Sequence, residues 1–288
     1  MAQKFDIYQE VTDRIIAQME KGIIPWQKPW GSVEDGAISY VSRKPYSMLN
    51  QMLLGEDGEY LTFNQIKELG GTIKKGAKAR MVVFFKWLEP KSAKEKTTED
   101  KDEEPIVKIP FLQYYNVFHI KDTEGIESKV KENVQPKNNP IDEAERVIMD
   151  YVNREHLKFT QKPSDKAYYR PMSDEVVVPH LNQYKHVEQY YTTTFHELSH
   201  STGAPTRLNR KHGMTSFFGG EDYSKEELVA EISASMLATN IGILTDKCFN
   251  NSVAYLQSWI RVLKNDKKMI VTAAGCAEKA AKYILGIN

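Results

Sequence analysis

The pentapeptide His196-Glu197-Leu198-Ser199-His200 sets the terms for the rest of this chain. On a helix, side chains four residues apart project from one face, so His196 and His200 can offer two imidazoles to one cation. Glu197 stands beside the first of them and can reach a water held by that cation. The flanking residues favour a helix. Val187, Tyr190, Tyr191, Thr194, Phe195 and Leu198 form an apolar stripe at near-helical spacing, and Gly203 with Pro205 supplies the stop.

This division of labour is that of HExxH zinc metallopeptidases: Zn2+ lowers the pKa of the water and the glutamate takes its proton. Glu197 is therefore the expected catalytic base, and His196 and His200 are expected metal ligands. A mononuclear catalytic site needs a third protein ligand and one open position. The sequel Ser201-Thr202-Gly203-Ala204-Pro205-Thr206 has a threonine where a metzincin has its third histidine. His212 falls in an expected loop. The better source is the acidic helix Ser224-Lys225-Glu226-Glu227-Leu228-Val229-Ala230-Glu231. Glu227 and Glu231 share a face, as in a gluzincin, where the first acid ligates and the second orients a histidine. The assignment is Glu227 as ligand and Glu231 behind it, with Glu226 as the main rival. The plainer alternative is that Glu227 closes a capping box with Ser224 and the other acids are solvated.

The 288 residues are enough for two domains, and the balance of 41% apolar and 27% charged residues is that of a globular protein. Net charge is zero, so affinity for nucleic acid would have to come from a local basic patch. Cys248 and Cys276 make neither a disulfide framework nor a cysteine zinc finger. The start, Met1 to Glu10, lacks the apolar region of a signal peptide, and no apolar run is long enough for a membrane span. The expectation is a soluble, cytoplasmic protein with no membrane partner.

Upstream, Ile7, Val11, Ile15 and Met19 predict an amphipathic helix, stopped by Gly22 and Pro25. The segment Pro25-Trp26-Gln27-Lys28-Pro29-Trp30 follows. Thr62-Phe63-Asn64-Gln65 reads as a capping box opening a helix to Leu69. Strands are predicted over Arg80 to Trp87 and Lys108 to Ile120, joined by the charged stretch Glu89 to Pro105. Lys121 to Pro140 is polar and reads as the domain boundary. Beyond it come a helix near Ile141 to Asn153, short strands at Ala167 to Arg170 and Glu175 to Pro179, and the HExxH helix. Three more helices follow, near Ser224 to Asn240, Ser252 to Lys264 and Lys267 to Leu285.

Between Lys67 and Lys86 lie six basic residues and one acid, Glu68. Aromatics are interleaved nearby: Trp26, Trp30, Tyr46, Tyr60, Phe63, Phe84, Phe85, Trp87, Tyr114 and Tyr115. Phosphates on lysines and bases on rings are how single-stranded nucleic acid is held. Trp26, Trp30, Lys74, Lys75, Lys78 and Arg80 are the residues expected to do this. The alternative is that the rings are core and the lysines a solvated face.

Together the two halves resemble the ArdC-type antirestriction proteins of plasmids and other mobile genetic elements. The N-terminal resemblance runs through Asp6-Ile7-Tyr8-Gln9-Glu10-Val11-Thr12, Gly22 to Trp30, Leu61-Thr62-Phe63-Asn64-Gln65, Lys74-Lys75-Gly76, Val83 to Trp87 and Tyr115-Asn116-Val117-Phe118. The C-terminal resemblance runs through Tyr168-Tyr169-Arg170-Pro171, His196 to Gly203, Arg207-Leu208-Asn209-Arg210, Glu226 to Glu231 and the helix around Trp259. It covers nearly the whole chain. It implies an α+β fold of two domains: a small α+β single-stranded-DNA-binding domain, set at residues 1–130, and a zincin-like metallopeptidase domain, set at 131–288. It further implies protection of incoming DNA from host restriction. The expected partners are single-stranded DNA and a protein or peptide substrate, a host restriction component being one candidate. A protective DNA-binding protein whose zinc domain is structural or catalytically idle remains the alternative.

Overall fold

The computed structural model describes residues 5–26, 36–88, 109–129, 140–210, 221–243 and 253–287. Trp30, the charged stretch Glu89 to Pro105, His212, Cys248 and half of the expected boundary lie outside the described residues.

Helix α1 (Ile7–Met19) begins at Asp6, whose carboxylate accepts from the Tyr8 and Gln9 amides at 3.0 and 3.2 Å. It buries Val11, Ile15 and Met19 of the predicted stripe, and Ile16 beside them, while Ile7 is half-buried. A four-stranded sheet follows, in the order β1-β2-β5-β4. Strand β1 (Ala37–Ser39) runs parallel to β2 (Gly58–Thr62), and α2 (Met48–Leu54) crosses between them. Neither β1, β2 nor α2 was predicted. The strands are short, and α2 is buried on nearly every side, so it has no amphipathic period. Two amides in α2 are sealed by the backbone around them. Asn50 bonds both the N–H and the C=O of Val83 at 2.8 Å, and Gln51 bonds both those of Ala37 at 2.8 and 3.0 Å.

Helix α3 (Phe63–Glu68) opens with the expected Thr62/Gln65 capping box. A two-stranded ribbon of β3 (Thr72–Ile73) and β6 (Thr123–Glu124) flanks it. The predicted long strands are β4 (Arg80–Leu88) and β5 (Ile109–His119), an antiparallel pair whose register runs from Arg80↔Val117 to Leu88↔Ile109.

After α4 (Pro140–Glu155) comes a three-stranded sheet in the order β7-β9-β8. Strand β9 (Glu175–Val178) is central, buried throughout and parallel to β7 (Lys158–Gln161), with β8 (Tyr168–Arg170) antiparallel on its other side. Strand β7 was not predicted. Helices α5 (Val187–Ser201), α6 (Glu221–Asn240), α7 (Val253–Asn265) and α8 (Met269–Leu285) complete the chain.

The two halves share one hydrophobic core. Val11, Ile15, Met19 and Trp26 join Met81, Val83 and Leu112 of the sheet, and all pack with Leu228 and Ile232 of α6, Trp259 and Leu263 of α7, and Ile270 and Ala274 of α8. A second core joins Val147, Ile148 and Tyr151 of α4, Val176 and Val178 of β9, and Tyr190, Phe195 and Leu198 of α5 to Leu237 of α6. Helix α6 thus presents apolar residues to both cores. Among the described residues, no helix is long and apolar enough to cross a membrane.

Candidate metal centre

Helix α5 is anchored by Phe195 and Leu198, both fully buried, and by Ser199, which bonds the Phe195 carbonyl at 2.7 Å and the Ser233 hydroxyl of α6 at 2.9 Å. This contact sets the rotation of α5 against α6. His196 and His200 then meet with ring centroids 4.7 Å apart and planes at 80°, their Nε2 atoms 3.1 Å apart. Glu227 closes the triangle: Oε2 is 3.5 Å from His196 Nε2, and Oε1 is 3.4 Å from His200 Nε2.

These spacings test whether an ion fits. Tetrahedral bonds of ~2.1 Å place neighbouring ligand atoms about 3.4 Å apart. The Nε2–Nε2 edge of 3.1 Å and the Glu227 edges of 3.4 and 3.5 Å, which run to its two different oxygens, lie near that figure. Two imidazoles and a carboxylate are a zinc-type donor set and leave the fourth vertex for water or substrate. Among the described residues, His196, His200 and Glu227 are the group that could hold a metal ion.

Electrostatics accord with a cation site. Burial lowers the His196 pKa, but the bond to Glu227 and the charges of Glu197, Glu231 and Glu227 outweigh it and push it up to about 9. Without an ion, a proton fills the place of positive charge. Glu197 is 8% exposed, adjacent to His196, and no described side chain hydrogen-bonds to its carboxylate.

Glu226, the rival for the ligand place, faces the other nitrogen of His200, its Oε1 3.5 Å from Nδ1. It is gripped by Arg210, which donates from Nη2 to Oε1 at 2.6 Å and from Nε to Oε2 at 3.0 Å. Burial raises the Glu226 carboxyl pKa, yet Arg210 and then His200 hold it below the usual value. Glu231, expected behind a histidine, acts on His196 through its charge and also faces the Tyr255 hydroxyl. Arg210 was missed from the sequence. It lies between the two helices it links, and no spacing rule marks it.

The expected nucleic-acid residues part company. Trp26 is fully buried, edge-on to Trp259 at 6.2 Å, with its carbonyl bonded by Ser235. The expectation of a stacking ring at Trp26 is corrected: it is a core ring with no open face. Arg80 is corrected likewise. Its guanidinium bonds the Leu54 carbonyl at 3.1 Å, the Tyr60 hydroxyl at 2.8 Å and Glu56 at 2.7 Å. Lys75 and Lys78 are exposed, as is Lys74, whose Nζ donates to the Lys121 carbonyl at 2.7 Å.

Comparison with known proteins follows the same two halves. Residues 5–118 match the family model described as the N-terminal domain of anti-restriction factor ArdC. Residues 145–276 match the model described as a zincin-like metallopeptidase. The crystal structure of the antirestriction protein ArdC of plasmid R388, in its Mn(II)-bound form, superposes with a TM-score of 0.73 at 32% identity, covering 98% of each chain. Its metal-free form gives 0.72, covering 99% of this chain and 100% of that one. A protein of Escherichia coli named DNA primase TraC is 29% identical over 302 residues, spanning all of this chain but only 20% of the relative. With close to a third of its residues identical along the full length of a solved ArdC, this chain belongs to the ArdC antirestriction family and carries a zincin-like metallopeptidase domain.

Proposed function

We propose that residues 1–130 bind single-stranded DNA, while residues 131–288 hold one Zn2+ and hydrolyse a peptide bond. The observation that supports the enzymatic half is Glu197, buried, beside His196 and free of described hydrogen-bond partners, next to the three side chains that would hold an ion. A divalent ion there supplies Lewis acidity towards a water and a peptide carbonyl. Glu197 takes a proton from the attacking water and hands it to the leaving amide nitrogen, which departs as an amine. His200, braced by Glu226 at Nδ1, keeps its Nε2 aimed at the site. His196 and Glu227 hold the opposite side. Two imidazoles and one carboxylate as donors favour zinc, while the R388 relative was crystallised with Mn(II).

Family membership and the exposed Lys74, Lys75 and Lys78 support the DNA-binding half. In this reading the protein acts in the cytoplasm, where mobile-element DNA meets host restriction enzymes, and its peptide substrate is a protein held near that DNA. The test incubates zinc-loaded wild type and Glu197→Gln with purified restriction enzymes and, in parallel, with labelled single-stranded DNA. Cleavage by wild type alone is expected, with equal DNA binding by both. If neither form cleaves any candidate while both protect DNA, the idle-zinc reading takes over and protection comes from binding.

A further inference from the structure

The outer end of the β4–β5 pair carries aromatic side chains that the core does not use. Along β4, Met81, Val82 and Val83 are buried; Phe84 and Phe85 then emerge at 45% and 48% exposure. On β5, Leu112 and Val117 are buried, whereas Phe111, Tyr114 and Tyr115 are 47%, 44% and 47% exposed. The pleat divides these rings. Val82 pairs with Tyr115 and Phe84 with Gln113, so Phe84 and Tyr115 share one face; Val83 pairs with Tyr114, so Tyr114 and Phe85 share the other.

On the first face the rings form a row. Phe84 lies 5.7 Å from Tyr115 at 67° and 6.3 Å from Tyr46 at 49°. Tilted contacts of this kind hold the rings in place without stacking them face to face, and about half of Phe84 and of Tyr115 stays open to solvent. Exposed rings on a firm sheet are costly unless something covers them.

What covers them is constrained by the strand and by charge. β4 is an edge strand, the usual place for a protein partner to add a strand. Here Asn50 occupies both backbone groups of Val83 and interrupts that edge in the middle of β4. The charge around the sheet is positive. Residues 36–88 and 109–129 hold ten Lys or Arg against seven Asp or Glu. Two of those acids are held in ion pairs: Glu56 with Arg80 and Lys121, and Glu59 with Arg43. Lys44, two residues before Tyr46, and Lys78, two before β4, are exposed and unpaired among the described residues. Open rings on a sheet whose own segments carry these cations fit a polyanion with unstacked aromatic bases.

We propose that Tyr46, Phe84 and Tyr115 form the platform on which bases of single-stranded DNA stack, with Lys44 and Lys78 meeting phosphates. This rests on the DNA-binding reading above. It places the stacking rings on the β4–β5 pair and not at Trp26.

The experiment uses the full chain and a fluorescein-labelled oligothymidylate, with affinity read by anisotropy across a salt series. Phe84→Ala/Tyr115→Ala should weaken binding about tenfold or more with the salt slope unchanged, since stacking is not ionic. Phe84→Trp should restore it in the Tyr115 background. Phe85→Ala/Tyr114→Ala, on the opposite face, should bind like wild type, and a duplex of equal length should bind more weakly. Photocrosslinking of wild type to an oligonucleotide carrying bromodeoxyuridine should mark Tyr46, Phe84 or Tyr115, a readout that needs no variant to fold. No binding by wild type at low salt would sink the DNA-binding reading itself. Binding by wild type with crosslinks elsewhere, or with full affinity in the folded Phe84/Tyr115 variant, would overturn the platform alone.

Discussion

Arg210 holds Glu226 in a two-pronged grip, at 2.6 Å from Nη2 and 3.0 Å from Nε. The same guanidinium donates to the Thr202 hydroxyl at 2.6 Å and to the Ser199 carbonyl at 2.8 Å, both at the end of α5. One side chain therefore ties the helix of the histidines to the helix of the acids, and it keeps Glu226 on the Nδ1 side of His200. Planar, two-point recognition of a carboxylate is what Arg does and Lys cannot.

If Arg210 and Glu226 act through one contact with His200, their losses should not add. Arg210→Gln and Glu226→Gln should each weaken metal binding about 10- to 100-fold, and the double variant no more than the worse single. Arg210→Lys should recover part of the loss. Chelator competition measures the affinities, and the visible spectrum of the Co2+-loaded protein reports the ligand geometry. Additive losses, or an unchanged spectrum in both singles, would separate the pair from the metal.

The ligand set makes a sharper division. His196→Ala, His200→Ala and Glu227→Ala should each abolish stoichiometric metal, whereas Glu197→Gln should keep about one ion per chain. In Glu197→Gln any peptidase activity should fall by several orders of magnitude. Elemental analysis after dialysis checks the first statement. Stoichiometric metal in Glu227→Ala would return the third place to Glu226 or Glu231.

Proton and metal compete for His196. Its pKa in the metal-free fold is raised from 6.5 to about 9, so the protonated imidazole stabilises that fold most fully below 6.5. This contribution fades as pH rises through about 9. An ion must displace the proton, so affinity should climb by up to about tenfold per pH unit between 6.5 and 9 and then level off. Isothermal titration in buffers of different ionisation enthalpy should find close to one proton released per ion at pH 7.5. Uptake with no proton release would contradict the geometry of His196 and Glu227.

The shared core predicts a single folding unit. Trp26→Ala should cost about 3–5 kcal/mol of stability, as for other fully buried aromatics. It should leave DNA affinity intact at temperatures where the variant is folded. Unfolding followed by tryptophan fluorescence and by far-ultraviolet circular dichroism should coincide. A fragment ending at residue 130 that folds cooperatively by itself would show that α6, α7 and α8 are not needed to complete the N-terminal core.

What the sequence determined by itself was local and periodic. The spacing of Ile7, Val11, Ile15 and Met19 specified α1, Thr62 and Gln65 specified the start of α3, and the β-rich runs specified β4 and β5. His196 and His200 had to share a face because a helix repeats every 3.6 residues. Tertiary structure decided the rest. Glu226, Glu227 and Glu231 all lie on α6, and each helical step turns a side chain by about 100°. Which acid meets the metal therefore depends on how α6 is rotated, and that is set by Leu228 and Ile232 in one core, Leu237 in the other and the Ser199–Ser233 bond. Composition treats Trp26 and Phe84 alike as aromatic residues near lysines. The packing of α6, α7 and α8 against the N-terminal half buries the first, and the reach of β4 past that core exposes the second.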